Sequence, residues 1–154
     1  MTATPHLLQI DNLHKGYQAP NQASRLWPSF RSSANHIKAI NGLNLSITKG
    51  ETLCVVGESG CGKSTLARLV MGLEQPDQGG ISYQGHTISG LKGKARQDYR
   101  KRMQMVFQDP YTALNPRLTV LHALVEPLLY HQPQLNRQNA VDQAMAQLLA
   151  VGID

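Results

Sequence analysis

Apolar and polar positions alternate from the start of the chain. In "LLQIDNL", Leu8 and Ile10 are followed, after the polar pair Asp11-Asn12, by Leu13, a pattern that predicts an opening strand. In "IKAINGLNLSI", Leu43, Leu45 and Ile47 repeat the two-residue period and predict a second strand, closed by a turn at Lys49-Gly50. Residues 18–36, rich in Pro, Ser, Asn and Gln, read as an inserted loop that Trp27 and Phe30 anchor to the body. The runs "TLCVVG" (52–57) and "MQMVFQ" (103–108) are continuously apolar and predict buried strands, with Cys54 as a small core residue of the first. From Lys63 the spacing becomes helical, and "KSTLARLVMGL" places Leu66, Leu69 and Val70 on an inner side. "EQPDQGG" is a turn, "ISYQGHTI" a hairpin bent at Gln84-Gly85, and "DPYTALNPRLT" a loop. Two helices close the chain. Leu121, Leu124, Val125, Leu128 and Leu129 share one face of the first, which Pro127 is expected to bend. Val141, Ala144, Met145, Leu148 and Leu149 stripe the second, which ends at Gly152.

A length of 154 residues suits one domain or a large part of one, and 41% apolar content with mixed charge argues for a soluble globular protein over a disordered one. The apolar runs are too short to span a membrane, and the N-terminus lacks the basic start and apolar stretch of a secretory signal, so a cytoplasmic address is expected. Much of the net charge of +5 comes from "LKGKARQDYRKR", which carries Lys92, Lys94, Arg96, Arg100, Lys101 and Arg102. Such runs are ordinarily a solvated helix face or loop, and with Tyr99 as the only aromatic residue among them the base-stacking signature of nucleic-acid binding is weak. Cys54 and Cys61 form no CxxC or zinc-type array and read as free thiols in a reducing compartment. The histidines are scattered, so metal ligation by histidine is not expected.

"GESGCGKST" changes the picture. Gly57, Gly62, Lys63 and Ser64 satisfy G-x-x-x-x-G-K-[ST], with Cys61 in a variable slot. Glycines at 57, 60 and 62 let the backbone turn so that successive N–H groups converge on an anion, and a helix starting near Lys63 adds its positive end. Lys63 is placed to reach the β- and γ-phosphates, Ser64 to offer its hydroxyl to Mg²⁺, and Thr65 to bond the α-phosphate. The loop alone does not distinguish kinases, GTPases, helicases and transporter motors.

A second landmark does. "VVGESGCGKSTLARLVMGLEQPDQGGISYQG" followed by "MQMVFQDPYTALNPRLTV" resembles the nucleotide-binding domain of ABC transporters, and more narrowly the ATP-binding subunits of peptide and nickel importers. "FQDPYTALNPR" is the most telling phrase; the resemblance runs from about Leu7 to Asp154 and is weakest over residues 18–36. It implies an α/β fold of the P-loop NTPase, ABC type, in truncated form. A β-rich N-terminal subdomain and the start of the ATP-binding core would occupy residues 1–117, and the start of a helical subdomain residues 118–154. It implies an ATPase subunit that uses ATP and Mg²⁺. Tyr17 would stack on adenine, and Gly57, Ser59, Gly60, Cys61, Gly62, Lys63, Ser64 and Thr65 would cradle the nucleotide. Gln108 would be the Q-loop glutamine, coordinating Mg²⁺ beside Ser64 and acting with Lys63 in catalysis. The implied partners are transmembrane permease subunits, a second ATP-binding subunit in a homo- or heterodimer and, indirectly, a solute-binding protein, at the cytoplasmic face of the membrane. No nucleic-acid partner is implied.

The resemblance also implies an LSGGQ-type signature, a Walker B strand with its acidic pair, a D-loop and a switch histidine, none of which occurs in these 154 residues. The expectation is a truncated or partial subunit, poorly soluble alone or binding ATP weakly without turnover, since no residue is evident to orient the attacking water. The alternatives are a nickel-importer motor, a soluble ABC-type ATPase acting on nucleic acid, a small-molecule P-loop kinase and an inactive nucleotide-binding remnant. The full chain is therefore expected to show no steady ATP turnover in a phosphate-release assay. Steady activity abolished by Lys63→Ala would contradict this.

Overall fold

The structure is a computed structural model that describes residues 6–18, 36–109 and 114–153; the expected anchors Trp27 and Phe30, and Pro110 of the expected loop, lie outside the described residues. The chain forms two compact units, Met1–Gln104 and Met105–Asp154.

The first unit is built around β1 (His6–Gln18), which pairs antiparallel with β2 (His36–Thr48) on one side and β3 (Gln78–Tyr83) on the other. β3 pairs with the short β4 (His86–Thr87), giving the order β2-β1-β3-β4. The polar pair that interrupts the opening period is a bulge: register shifts between Ile10 and Leu13, where Asn12 has φ of 44° and its N–H donates to Asn44 Oδ1 at 2.8 Å. The extra residue returns Leu13 to the face of Leu8 and Ile10, and all three are buried. The expected hairpin forms, with Gln84 and Gly85 both at positive φ as a two-residue bend requires.

Helix α1 (Lys63–Val70) turns Leu69 into this core, with Leu66 and Val70 packed beside it. Its end is a Schellman closure, in which the Leu73 N–H donates to Arg68 O and the Gly72 N–H to Leu69 O. The basic stretch forms helix α2 (Gly93–Arg102), whose one buried residue, Tyr99, donates its hydroxyl to Val70 O and meets the Tyr83 ring edge-on at 5.6 Å between centroids. Burial, with Tyr83 beside it, pushes the Tyr99 hydroxyl up to about 12.

Two expectations fail. Residues 52–57 and 103–108 carry no strand ladder; Leu53, Val55, Val56, Val106 and Phe107 are exposed, and so is Cys54. A continuous apolar run reports a tendency to be buried, but a strand forms only with a second backbone as hydrogen-bonding partner, and among the described residues neither segment joins a ladder.

The second unit is a helical hairpin of α3 (Val120–His131) and α4 (Arg137–Ala150). Thr119 Oγ1 caps α3 by accepting from the His122 N–H at 3.2 Å, and Asn136 Oδ1 caps α4 by accepting from the Asn139 N–H at 2.8 Å. Val125, Ala140 and Ala144 form its core, with Leu121, Leu128, Leu129, Leu135 and Val141 around them. Leu124, Met145 and Leu149, expected on the packing stripes, are exposed. Against a single neighbouring helix, α4 buries the narrow seam set by two alanines four residues apart, and the broader stripe stays outside it. Gly152, at φ of 78°, closes α4 as expected, with Ile153 N–H donating to Leu148 O. Among the described residues no helix is long and apolar enough to cross a membrane.

Leu13 is fully enclosed and Met145 is not. Leu13→Ala should lower the unfolding free energy by about 2–5 kcal/mol, and Met145→Ala by about 0.5 kcal/mol or less, in urea titrations followed by circular dichroism. Equal effects would contradict the observed burial.

Candidate functional site

The loop of residues 57–65 leads into α1, with Gly62 at the N-cap position. Gly62 has φ of 99°, and a Cβ there would lie 2.4 Å from the carbonyl oxygen of Ala39 on β2. Both facts require glycine: the backbone is left-handed, and the loop lies flush on a strand backbone that cannot yield. No side chain caps the helix, and its first turn holds no acid. The first intrahelical bond runs from the Leu66 N–H to Gly62 O at 2.9 Å, which leaves the N–H groups of Lys63, Ser64 and Thr65 without intrahelical acceptors. The start of α1 is therefore a cluster of unspent donors at the positive end of a helix.

The ammonium of Lys63 folds over the same loop. It donates to the carbonyl oxygens of Gly57 and Glu58, each at 2.6 Å, and approaches Cys61 Sγ at 3.5 Å. Among the described residues no carboxylate pairs with it, so its charge is uncompensated inside the loop. Ser59, Gly60, Cys61 and Ser64 are exposed along the loop, and Thr65 is half-buried. A cleft of about 610 Å³ between β2 and residues 53–56 reaches Gly62 and Lys63, but Leu43, Leu45, Leu53 and Val55 make its walls apolar. The polar cradle is the loop at its rim. These donors and this charge fit a polyphosphate.

Tyr17, at the end of β1, is held from the turn that follows α1. Its hydroxyl donates to the Glu74 carboxylate, which also faces Arg68 of α1 at 3.6 Å. Lys15 stands 5.6 Å from the Tyr17 ring centroid and donates to Asp77 Oδ1 at 3.0 Å and to Gln75 O at 2.8 Å. The Gly16 N–H donates to Asp77 Oδ2 at 2.7 Å. The ring keeps an open face, with 37% of the residue exposed. Glu74 and Asp77 thus tie the β1 end to the start of β3, a role hidden in "EQPDQGG" because a turn signal says nothing about which strand its acids reach. Gln108 is exposed in the second unit, within the segment that forms no ladder, and is not part of the first unit's geometry.

Residues 40–153 match the ABC transporter family, and the chain belongs to it. The oligopeptide transport ATP-binding protein OppF of Salmonella typhimurium is 44% identical over 147 residues, 96% of this chain and 43% of that protein. The probable peptide ABC transporter ATP-binding protein y4tS of Sinorhizobium fredii is 47% identical over 122 residues, 79% and 33% of the two chains. The nickel import ATP-binding protein NikE of Shigella flexneri is 42% identical over 125 residues, 81% and 46% of the two. The chain thus spans less than half the length of these relatives. A dimeric structure of the ATP-binding cassette MJ0796 bound to ADP and Pi superposes with a TM-score of 0.69 at 23% identity, over 92% of this chain and 55% of that one. The family and the α/β cassette fold expected from the glycine loop and "FQDPYTALNPR" are borne out.

The Gly16 N–H, then Lys15, hold the Asp77 carboxyl below its ordinary value of 3.8. A depressed carboxylate stabilises the fold above its unfolded pKa, and that contribution fades as pH falls through the lower folded value. In a pH series followed by NMR, the Gly16 amide resonance should shift with a midpoint below 3.8, and in Asp77→Asn it should not titrate. A midpoint at or above the ordinary value would contradict the contact.

Proposed function

We propose that the chain supplies the nucleotide-binding part of an ABC-type ATPase that drives peptide import through a membrane permease. The observation that carries this reading is the Lys63 ammonium, held by two carbonyls and no carboxylate, at the uncapped start of α1. Mg²⁺-ATP would supply the polyanion and the bond whose hydrolysis powers transport. Lys63 would exchange its two carbonyl partners for β- and γ-phosphate oxygens, a neutral-to-charged exchange that strengthens each bond. The N–H groups at the start of α1, with Gly57, Ser59, Gly60, Cys61 and Gly62 before them, would wrap the phosphates, and Thr65 would take the α-phosphate. Ser64 and Gln108 would hold the metal. Tyr17 would lay its open face on adenine, with Glu74 fixing its hydroxyl.

Gln108 begins the segment that leads into α3 and α4, so it would report nucleotide state to the helical part and on to a permease. A second ATP-binding subunit would complete the nucleotide sandwich, and a solute-binding protein would deliver cargo to the permease. Peptide cargo follows the peptide-transport relatives at 44% and 47% identity. A nickel-import motor is the second reading, favoured by the relative at 42%. Growth on an oligopeptide as sole amino-acid source, against nickel-dependent growth, separates the two in a strain lacking the gene.

Within the assembled transporter, Lys63→Ala should weaken ATP binding by more than about tenfold, as expected for loss of a charge-assisted phosphate contact. Gln108→Ala should leave ATP affinity within about twofold while abolishing solute uptake, since the Q-loop glutamine acts after binding. Equal loss of binding and uptake in Gln108→Ala would overturn its assignment.

A further inference from the structure

We propose that α2 is a contact for an anionic lipid headgroup surface. Six of the fifteen basic residues and one of the ten acidic ones lie within residues 92–102, so the remaining nine of each sign cancel, and the whole net charge of +5 sits on this helix. Arg100, Lys101 and Arg102 in the last turn suit the helix dipole, but the other three cations oppose it. Lys92 occupies the N-cap with no side-chain hydrogen bond, Lys94 and Arg96 follow, and no acid stands in the first turn, so cations crowd the positive end of the dipole. Helix stability therefore does not explain Lys92, Lys94 and Arg96.

The helix is pinned in one orientation. Tyr99 points into the core with its hydroxyl on Val70 O, and the Arg100 guanidinium donates to Gly72 O at 2.9 Å. Lys94, Gln97 and Lys101 lie roughly opposite Tyr99 at helical spacing, all exposed, while Arg96 and Arg102 are exposed one turn before and after Tyr99, nearer the buried side. Lys94 and Lys101 stand two turns apart on one line, about 10 Å along the axis. The one acid on the helix, Asp98, faces Lys101 at 3.7 Å in an exposed pair, and its charge is already counted in the +5.

The chemistry of the outward face selects a headgroup layer. It carries no apolar side chain, so it does not insert into acyl chains, and the helix's one aromatic ring is buried beneath it, so no stacking platform faces a nucleic-acid base. Each cation near an anionic leaflet contributes roughly a fivefold gain in partition, and Lys94 and Lys101 share the outward line.

The test is co-sedimentation of the full chain with vesicles rich in phosphatidylglycerol and with vesicles of phosphatidylcholine alone, at rising salt. Binding to the first, none to the second, and steady loss with salt are expected. The pair Lys94→Glu and Lys101→Glu should reduce partition by about 25-fold or more, with unchanged circular dichroism and melting temperature. Lys49→Glu, a single reversal at an exposed turn away from α2, should cost about fivefold or less. Absence of binding to the anionic vesicles, or equal binding by the double variant, overturns the proposal. Tighter binding to duplex DNA than to the vesicles at the same salt also overturns it, and reassigns the face to nucleic acid.

Discussion

The candidate site depends on one close approach. At Gly62 the loop lies against the Ala39 carbonyl of β2, with room for a hydrogen and no more, in a left-handed conformation that sets the direction in which α1 begins. Because the helix starts there without a capping side chain, its first N–H groups remain unspent, and because no acid stands in the first turn, nothing cancels the positive end. Lys63 adds a full charge to the same point. A loop that keeps these N–H donors unspent and a cation without a carboxylate is costly as structure and favourable as a binding site, so local stability is given up where an anion can restore it.

The rest of the first unit holds that arrangement in place. The bulge at Asn12 keeps Leu8, Ile10 and Leu13 on one face, which fixes β1 against β2 and so fixes the surface on which Gly62 rests. Leu69 ties α1 to the same core. Glu74 links Arg68 of α1 to the Tyr17 hydroxyl, so the aromatic ring and the glycine loop are positioned by elements that touch each other. Asp77 secures the neighbouring residues of β1.

How much of this was legible depended on whether a residue's role was local. The turn into α1 was readable at residues 57–65 because a left-handed approach to a helix start needs glycine at fixed positions, and the closing glycine of α4 because a Schellman turn is a local event. The break after Ile10 was visible as a skipped position, and the bulge gives it a cause. Residues 52–57 misled because apolar runs record what a strand would bury, not whether a partner backbone lies beside it. Met145 and Leu149 misled for a related reason: the width of a buried stripe is set by how many neighbours a helix has. The contacts of Glu74 and Asp77 with β1 span about sixty positions of chain and left no mark in the pattern.

The central claim is that the donors at the start of α1 form an anion cradle. It is tested most directly by titrating the full, ¹⁵N-labelled chain with inorganic tripolyphosphate and Mg²⁺ and following amide shifts. The account predicts saturable downfield shifts confined to residues 57–65, with the largest at Lys63, Ser64 and Thr65. Saturable shifts centred elsewhere in the chain, with residues 57–65 unmoved, would contradict it.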